Sequence, residues 1–419
     1  MSPADGIARY LASLACRPSL PRRADGNGSA TTYGPGAVRA RAARSICSTH
    51  PKSKEILHEV HAFPRRGSRG ARLALAGCGG STGSSGSEGS ASGGGDGAPA
   101  DDSNCASEDV FCIGLVTDTG KVDDKSFNQS AHEGAEAAAA ELGGFYKYIE
   151  TQDTKDYAAN ISQFTNKSYD VIVTVGFLMV DATAEAAAGS PDTKFIGVDQ
   201  FYDAKAVEAT NLTGLIFPAD QAGYAAGFLA AKMTKTNKLG NVLGQEIPTV
   251  TAFADGFKNG AESVNPDISV AAVFHPAGDN AFTDPVWGAG EAKKMLSQGA
   301  DVVFGAGGQT GNGALQEVAK ASGAGTDVFC IGVDTDQWDT VPAAQPCLLT
   351  SAMKLITQGV TDTITTAQSG DFEGLQTVGQ VGLAPYHDFE DVVPADVKTE
   401  VDDVVKQLQD GTLETGVDS

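Results

Sequence analysis

The sequence predicts an α/β protein built as two doubly wound lobes in series. Three observations carry this. From residue 110 onward, short apolar runs alternate with Ala-, Glu- and Gly-rich stretches of helical character, the pattern of βαβ units around a mainly parallel sheet. The apolar runs are nearly continuous, as strands covered on both faces should be. The pattern also restarts after Pro218, giving two halves of similar size.

In the first half FCIGLVTD (111–118) is a β-rich run ending in Asp. An Ala/Glu-rich helix over 130–142 closes on a Gly pair, and YKYIET (146–151) is the second strand. A helix over 156–167, the buried strand YDVIVTVG (169–176), a helix over 182–188, and the strands KFIGVD (194–199) and NLTGLIF (211–217) follow. In the second half, helices over 221–233, 251–264, 288–298 and 313–322 alternate with strands over 238–244, 268–274, 300–307 and 327–334. The run CLLTSAMK (347–354) and a helix to about residue 368 then return the chain toward the first half. FIGVD (195–199) and CIGVD (330–334) end in the same residues at equivalent points, a hint of internal duplication.

Charge separates two regions. Residues 1–77 carry 13 Lys/Arg against 4 Asp/Glu, a formal +9, whereas 78–419 carry 17 against 49, a formal −32. A surface that acidic repels nucleic acid and anionic lipid. No apolar stretch approaches the ~20 residues needed to span a bilayer.

The seven cysteines form no CxxC and no zinc-ligand spacing with the six histidines, so no metal and no cofactor are expected. Cys105 with Cys112, and Cys330 with Cys347, lie close enough in sequence for two short disulfide loops, which would suit an oxidising exterior. The alternative is four buried free thiols.

LAGC (75–78) resembles a lipobox, with Cys78 as the residue that receives the lipid. A Gly/Ser-rich tract from 79 to about 104 follows and reads as a flexible tether. Upstream, only LALA follows Arg72, shorter than the apolar core of a signal peptide. Residues 1–77 are therefore expected to be an aberrant or mis-assigned N-terminus that includes a signal remnant. Residues 78–108 are the anchor and linker. Lobe 1 is 109–217 and lobe 2 is 218–347, each completed by part of 348–419.

In open parallel sheets, ligands bind beyond the carboxyl ends of the strands. Asp118, Asp199, Gly307 and Asp334 are the candidates by that rule. The run GAGGQTGNG (305–313) fits neither a dinucleotide fingerprint nor a P-loop and is expected to be a tight turn that a ligand approaches closely. No G-x-S-x-G occurs, and His132, His275 and His387 are scattered, so an enzyme such as a nucleoside hydrolase is disfavoured. A DNA-binding regulator is disfavoured by the acidic domain and the lack of a helix-turn-helix segment.

Several segments carry a family likeness: LVTDTGKVDDKSFNQSAHEG (115–134), LIFPADQAGYAAGFLAA (215–231), AFTDPVWGAGEA (281–292), DVVFGAGGQTGNGALQEVAK (301–320), IGVDTDQW (331–338) and QVGLAPYHDF (380–389). In this order, over about 110–415, they resemble the basic membrane protein (BMP) family. The resemblance implies a type I periplasmic-binding-protein fold, with a hinge and a cleft between lobes. It further implies a monomeric, lipid-anchored, extracytoplasmic binding protein of an ABC importer, with purine nucleosides as ligands in several relatives. A sugar or another small solute is the alternative ligand.

The same resemblance assigns roles. Phe127 and Phe282 would stack on the two faces of the base, with Trp287 as a possible substitute for Phe282. Asn128 would meet the base edge, its rival role being to cap the helix at 130. Asp199 would accept from a base nitrogen, with Asp118 along the same edge. Gly307 would let backbone approach the ribose. Asp334 would bridge ribose hydroxyls, and Lys354 would donate to a hydroxyl and pair with a nearby carboxylate.

Overall fold

The computed structural model describes residues 101–203, 207, 209–372 and 375–417. Cys78, with the proposed leader and most of the linker, lies outside the described residues. The first sheet uses β1 (Cys112–Thr119), β2 (Phe145–Thr151), β3 (Val171–Val175), β4 (Lys194–Val198) and β5 (Leu212–Ile216). The helices between them are α1 (Phe127–Leu142), α2 (Tyr157–Thr165) and α3 (Val180–Gly189). The second sheet uses β6 (Lys238–Gln245), β7 (Ser269–His275), β8 (Val302–Ala306), β9 (Phe329–Asp334) and β10 (Leu348–Lys354). Its helices are α4 (Ala219–Met233), α5 (Pro248–Val264), α6 (Pro285–Ser297) and α7 (Gly308–Val318).

The C-terminal part visits both sheets. Helix α8 (Ile356–Ser369) packs on α1, and β11 (Gln376–Val378) adds to β5 in parallel. Then β12 (Val381–Leu383) adds to β10 antiparallel, and α9 (Ala395–Gln409) packs on α4. The sequence reading assigned none of β11, β12 and α9. The two strands are only three residues long, too short for a periodic signal.

Strand order is β2-β1-β3-β4-β5-β11 in one sheet and β7-β6-β8-β9-β10-β12 in the other. Each sheet therefore repeats the same winding, and in each the order reverses beside the first strand. That reversal is where open α/β sheets leave a crevice for ligands.

The chain passes between lobes after β5, after β10 and between β11 and β12. The Gly379 amide donates to the Ile216 carbonyl at 2.8 Å and the Leu355 amide to the Gln380 carbonyl at 2.9 Å, so the three crossings are bonded to each other. Such segments are the natural hinge for two packed lobes.

Every residue of β1, β3, β8 and β9 is buried, which explains their unbroken apolar character. One apolar cluster runs through both lobes, from Ile113 and Val171 to Leu239 and Val302, and the outer face of each sheet has its own cluster. Disulfides join Cys105 to Cys112 at the start of β1, and Cys330 in β9 to Cys347 before β10. The alternative of four free thiols is not what the structure contains.

Six helices begin earlier than sequence suggests: at residues 127, 180, 219, 248, 285 and 308 rather than 130, 182, 221, 251, 288 and 313. The GQTGNG run is thus mostly the opening of α7, not a loop. These first turns are rich in Gly, Pro, Ser and Asp, residues with weak intrinsic helix preference. Tertiary contacts hold them helical.

Candidate functional site

A cavity lies where the carboxyl ends of the two sheets face one another. All eight residues singled out from sequence line it: Asp118, Phe127, Asn128, Asp199, Phe282, Gly307, Asp334 and Lys354. Trp287 does not. It sits behind the wall, edge-on to His275 with ring centroids 4.6 Å apart.

The first lobe's wall is built around Asp124. Its carboxylate accepts from the backbone amides of Ser126 and Asn128 at 2.9 Å and of Gln129 at 3.0 Å. This satisfies the amides that open α1, so the helix starts at Phe127. Asn128 is therefore not the cap. Its side-chain oxygen is buried with no hydrogen-bond partner among the described residues, although the residue lines the cavity. A buried acceptor left unpaired costs about 1–3 kcal/mol, so a ligand donor here would be rewarded.

Asp118 ends β1. Its carboxylate accepts from the Tyr157 hydroxyl and the Thr119 amide, both at 2.5 Å. Burial raises its pKa against those two bonds.

Asp199 follows β4, Asp334 is the last residue of the equivalent β9, and both adopt positive φ, 59° and 66°. Asp199 lines the cavity while one of its carboxylate oxygens is taken. It holds Lys354, whose Nζ is 2.5 Å from Oδ2 in a pair only 2% and 6% exposed. That ammonium also sits 5.5 Å from the Phe127 ring centroid and 4.9 Å from that of Phe253. Asp334 accepts from Ser126 Oγ at 2.7 Å. Burial pushes its carboxyl up to about 6, partly opposed by Lys354 and Ser126 and reinforced by Asp199 and Asp124.

In the second lobe, Phe282 lies over Gly244, where a Cβ would come within 2.2 Å of the ring. At Gly307, which lines the cavity, an added Cβ would also come 2.5 Å from the Gly244 backbone. It is Gly308 that takes a left-handed φ, 55°.

Sequence reasoning missed Phe177, Phe253, Asp124 and the first turn of α5, all in the lining. Pro248 at the first position of α5 was a legible signal for that helix start. Phe177 and Phe253 carried none, because an apolar residue beside a strand or in a helix reads as core.

Two rings come from each lobe: Phe127 and Phe177, then Phe253 and Phe282. Around them stand carboxylates and one ammonium. The arrangement can cover a flat apolar ring and accept hydrogen bonds from its edge and from hydroxyls. None of His132, His275 and His387 lines the cavity, and no cluster of three or more His, Cys, Asp or Glu is placed to hold a metal among the described residues. Nor is any described helix long and apolar enough to cross a membrane.

Comparison with known proteins now gives the family. The family model of PnrA-like ABC transporter substrate-binding proteins (Bmp) matches residues 113–383. The CD4+ T-cell-stimulating antigen of Listeria monocytogenes is 33% identical over 322 residues, covering 72% of this chain and 87% of its own. The ABC transporter nucleoside-binding protein BmpA of Lactococcus lactis subsp. cremoris is 35% identical over 230 residues, 53% of this chain and 63% of its own. A solved ABC transporter solute-binding protein from Aeropyrum pernix K1 superposes with a TM-score of 0.65 at 22% identity, covering 73% of this chain and 92% of that one, and so supports the two-lobed fold. The chain belongs to the Bmp family of PnrA-like ABC transporter substrate-binding proteins: it is a small-molecule-binding partner of an ABC permease rather than an enzyme.

Proposed function

We propose that the protein is a lipid-anchored extracytoplasmic receptor that binds a purine nucleoside between its lobes and hands it to the permease. The observation that carries this reading is the unpaired, buried Asn128 oxygen beside the Phe127 ring in the cavity wall. A purine offers what that pair lacks: an aromatic face and an edge of N–H donors. Phe282 is the second ring, from the other lobe. Asp334, an acceptor when ionised, and Lys354, a donor, suit ribose hydroxyls. Asp118 lies on the first lobe's side of the same cavity and suits the base edge. The nucleoside-binding relative from Lactococcus lactis supports the choice of ligand.

The anchor rests on sequence alone. Cys78 closes LAGC and is followed by the Gly/Ser tract, and two acyl signals together give stable membrane attachment. Mass analysis of the mature protein should find cleavage before Cys78 and a lipidated N-terminus; intact residues upstream of Cys78 would remove the anchor.

Calorimetry with adenosine, guanosine, inosine, their free bases and ribose tests the ligand. The expected result is binding of nucleosides more tightly than of bases, with ribose alone weak. Binding of sugars with no nucleoside response would end the purine reading and leave the solute-binding role intact.

A further inference from the structure

We propose that the turn Asp124–Ser126 is a clasp that holds the two lobes together without ligand, and that Gln337, Asn312 and Thr340 are its receiving residues. This goes beyond the nucleoside reading and rests only on the two-lobed cleft. The turn belongs to the first lobe, and every partner named below belongs to the second. The Asp124 carbonyl accepts from Asn312 Nδ2 at 2.9 Å. The Lys125 carbonyl accepts from Gln337 Nε2 at 3.2 Å and from Thr340 Oγ1 at 2.9 Å. Ser126 Oγ donates to Asp334 at 2.7 Å.

Both sides are set in advance. On the first lobe, the Asp124 carboxylate ties the turn to the opening amides of α1. Lys125 takes a left-handed φ of 66°, which side chains rarely adopt, and its carbonyl meets the other lobe. On the second lobe, Gln337 is fully buried. Its Oε1 accepts from the Val333 amide at 3.0 Å, its own amide donates to Ser351 Oγ at 3.1 Å, and its Nε2 also reaches Asn312 Oδ1 at 2.7 Å. The short helical turn Gln337–Thr340 is braced by Asp336, which accepts from the Trp338 amide at 3.1 Å and pairs with His387 at 2.7 Å.

The clasp is thus made of protein groups alone. Three of its four bonds use main-chain carbonyls of the residues just before Phe127 and Asn128. Closing the clasp therefore sets the binding wall in place. A protein whose competent state is part-populated binds with an affinity reduced by that fraction, so weakening the clasp at Gln337 or Thr340, neither of which lines the cavity, should weaken binding without touching ligand-contacting groups.

The test measures lobe closure by single-molecule energy transfer in the full chain, with dyes attached through non-canonical residues at the exposed positions 141 and 320, one on each lobe. Ligand-free wild-type protein should show a dominant closed population. Thr340→Val, which removes one exposed hydroxyl, should shift the closed-to-open ratio by about two- to fivefold, the effect of one ordinary hydrogen bond. Gln337→Ala should shift it by about tenfold or more, since it removes the hub of the network. Where Gln337→Ala does not fold, Thr340→Val alone decides. An unchanged distance distribution in Thr340→Val, or a wild-type protein that is open without ligand, would overturn the clasp. Both measurements are made without ligand, so a failure of nucleoside binding leaves them standing.

Discussion

The fourth and ninth strands close on the same three-residue sequence, Gly197–Asp199 with its Asp just past β4 and Gly332–Asp334 with its Asp the last residue of β9, and the two ends differ in what they do with the Asp. The frame is shared. Both Asp residues have positive φ, and both glycines give up their Cβ space to a glutamine, Gln200 in one lobe and Gln337 in the other. The electrostatics are not shared. Asp199 holds the buried ammonium of Lys354, whereas Asp334 has no ion pair among the described residues, takes a hydroxyl from Ser126, and is pushed up to about 6. The cause lies one strand over. In the first sheet that neighbour, β5, runs on into Phe217; in the second sheet β10 ends in Lys354, and Lys354 reaches across to the first lobe's Asp199. A duplicated backbone device therefore carries two different charges, and one strand-end residue decides which.

The largest expected effect comes from breaking the paired end. Lys354→Met strands the buried Asp199 carboxylate and should cost about 3–5 kcal/mol of stability in urea unfolding. Lys354→Met combined with Asp199→Asn should recover most of it, because Asn tolerates the left-handed φ and needs no counter-charge. A loss below about 1 kcal/mol in the single variant would show that the pair contributes little.

Next comes the disulfide that ties β9 to the strand carrying Lys354. Its ends are 17 residues apart, against 7 for Cys105–Cys112. On the chain-entropy account, replacing Cys330 and Cys347 by Ser should cost about 3 kcal/mol, and replacing Cys105 and Cys112 about 2. Equal losses, measured by thermal unfolding, would point to strain or packing instead of loop length.

The unpaired end predicts a pH dependence. Asp334 is raised to about 6, above the usual ~3.9 of an unfolded Asp. Between those values the folded state binds the extra proton, so its contribution is fully present below about pH 4 and is lost as pH rises through 6. The change is on the order of 2–3 kcal/mol, and Asp334→Asn should flatten it. In the proposed complex the same titration acts on ligand. Ribonucleoside affinity should fall as pH drops through 6, because a protonated carboxyl accepts hydroxyl donors poorly, while free-base affinity should not follow.

The smallest effect is expected at the rings. Phe282→Ala should weaken nucleoside binding by about 1–3 kcal/mol, the cost of losing one stacked face. Calorimetry that finds Phe282→Ala neutral and Phe253→Ala costly would move the second face of the ligand to α5.

The strands, their order of appearance and the Asp residues that follow them were legible because buried parallel strands write themselves as unbroken apolar runs. The disulfide partners were legible from short spacings in sequence. Phe127 and Phe282 were legible only through family resemblance, since a lone Phe has no signature of exposure to a cavity. Phe177 and Phe253 escaped for that same reason. The early starts of α1, α5 and α7 escaped because Asp124, Pro248 and Gly308 act through capping and backbone geometry, which apolar periodicity does not register.

By itself, then, the sequence determined which segments are the ten longer strands, that they come in two similar sets, and which polar residues stand at their ends. Those are local properties: burial on two faces and turn chemistry act over a few residues. Only the tertiary structure decided that Lys354 pairs with Asp199, 155 residues away, and that, among the described residues, Asp334 is left without an ion pair and the Asn128 oxygen is buried without a partner. Those facts depend on which strand ends the two windings bring face to face, and on the burial that follows. Nothing within a few residues of each side chain encodes either.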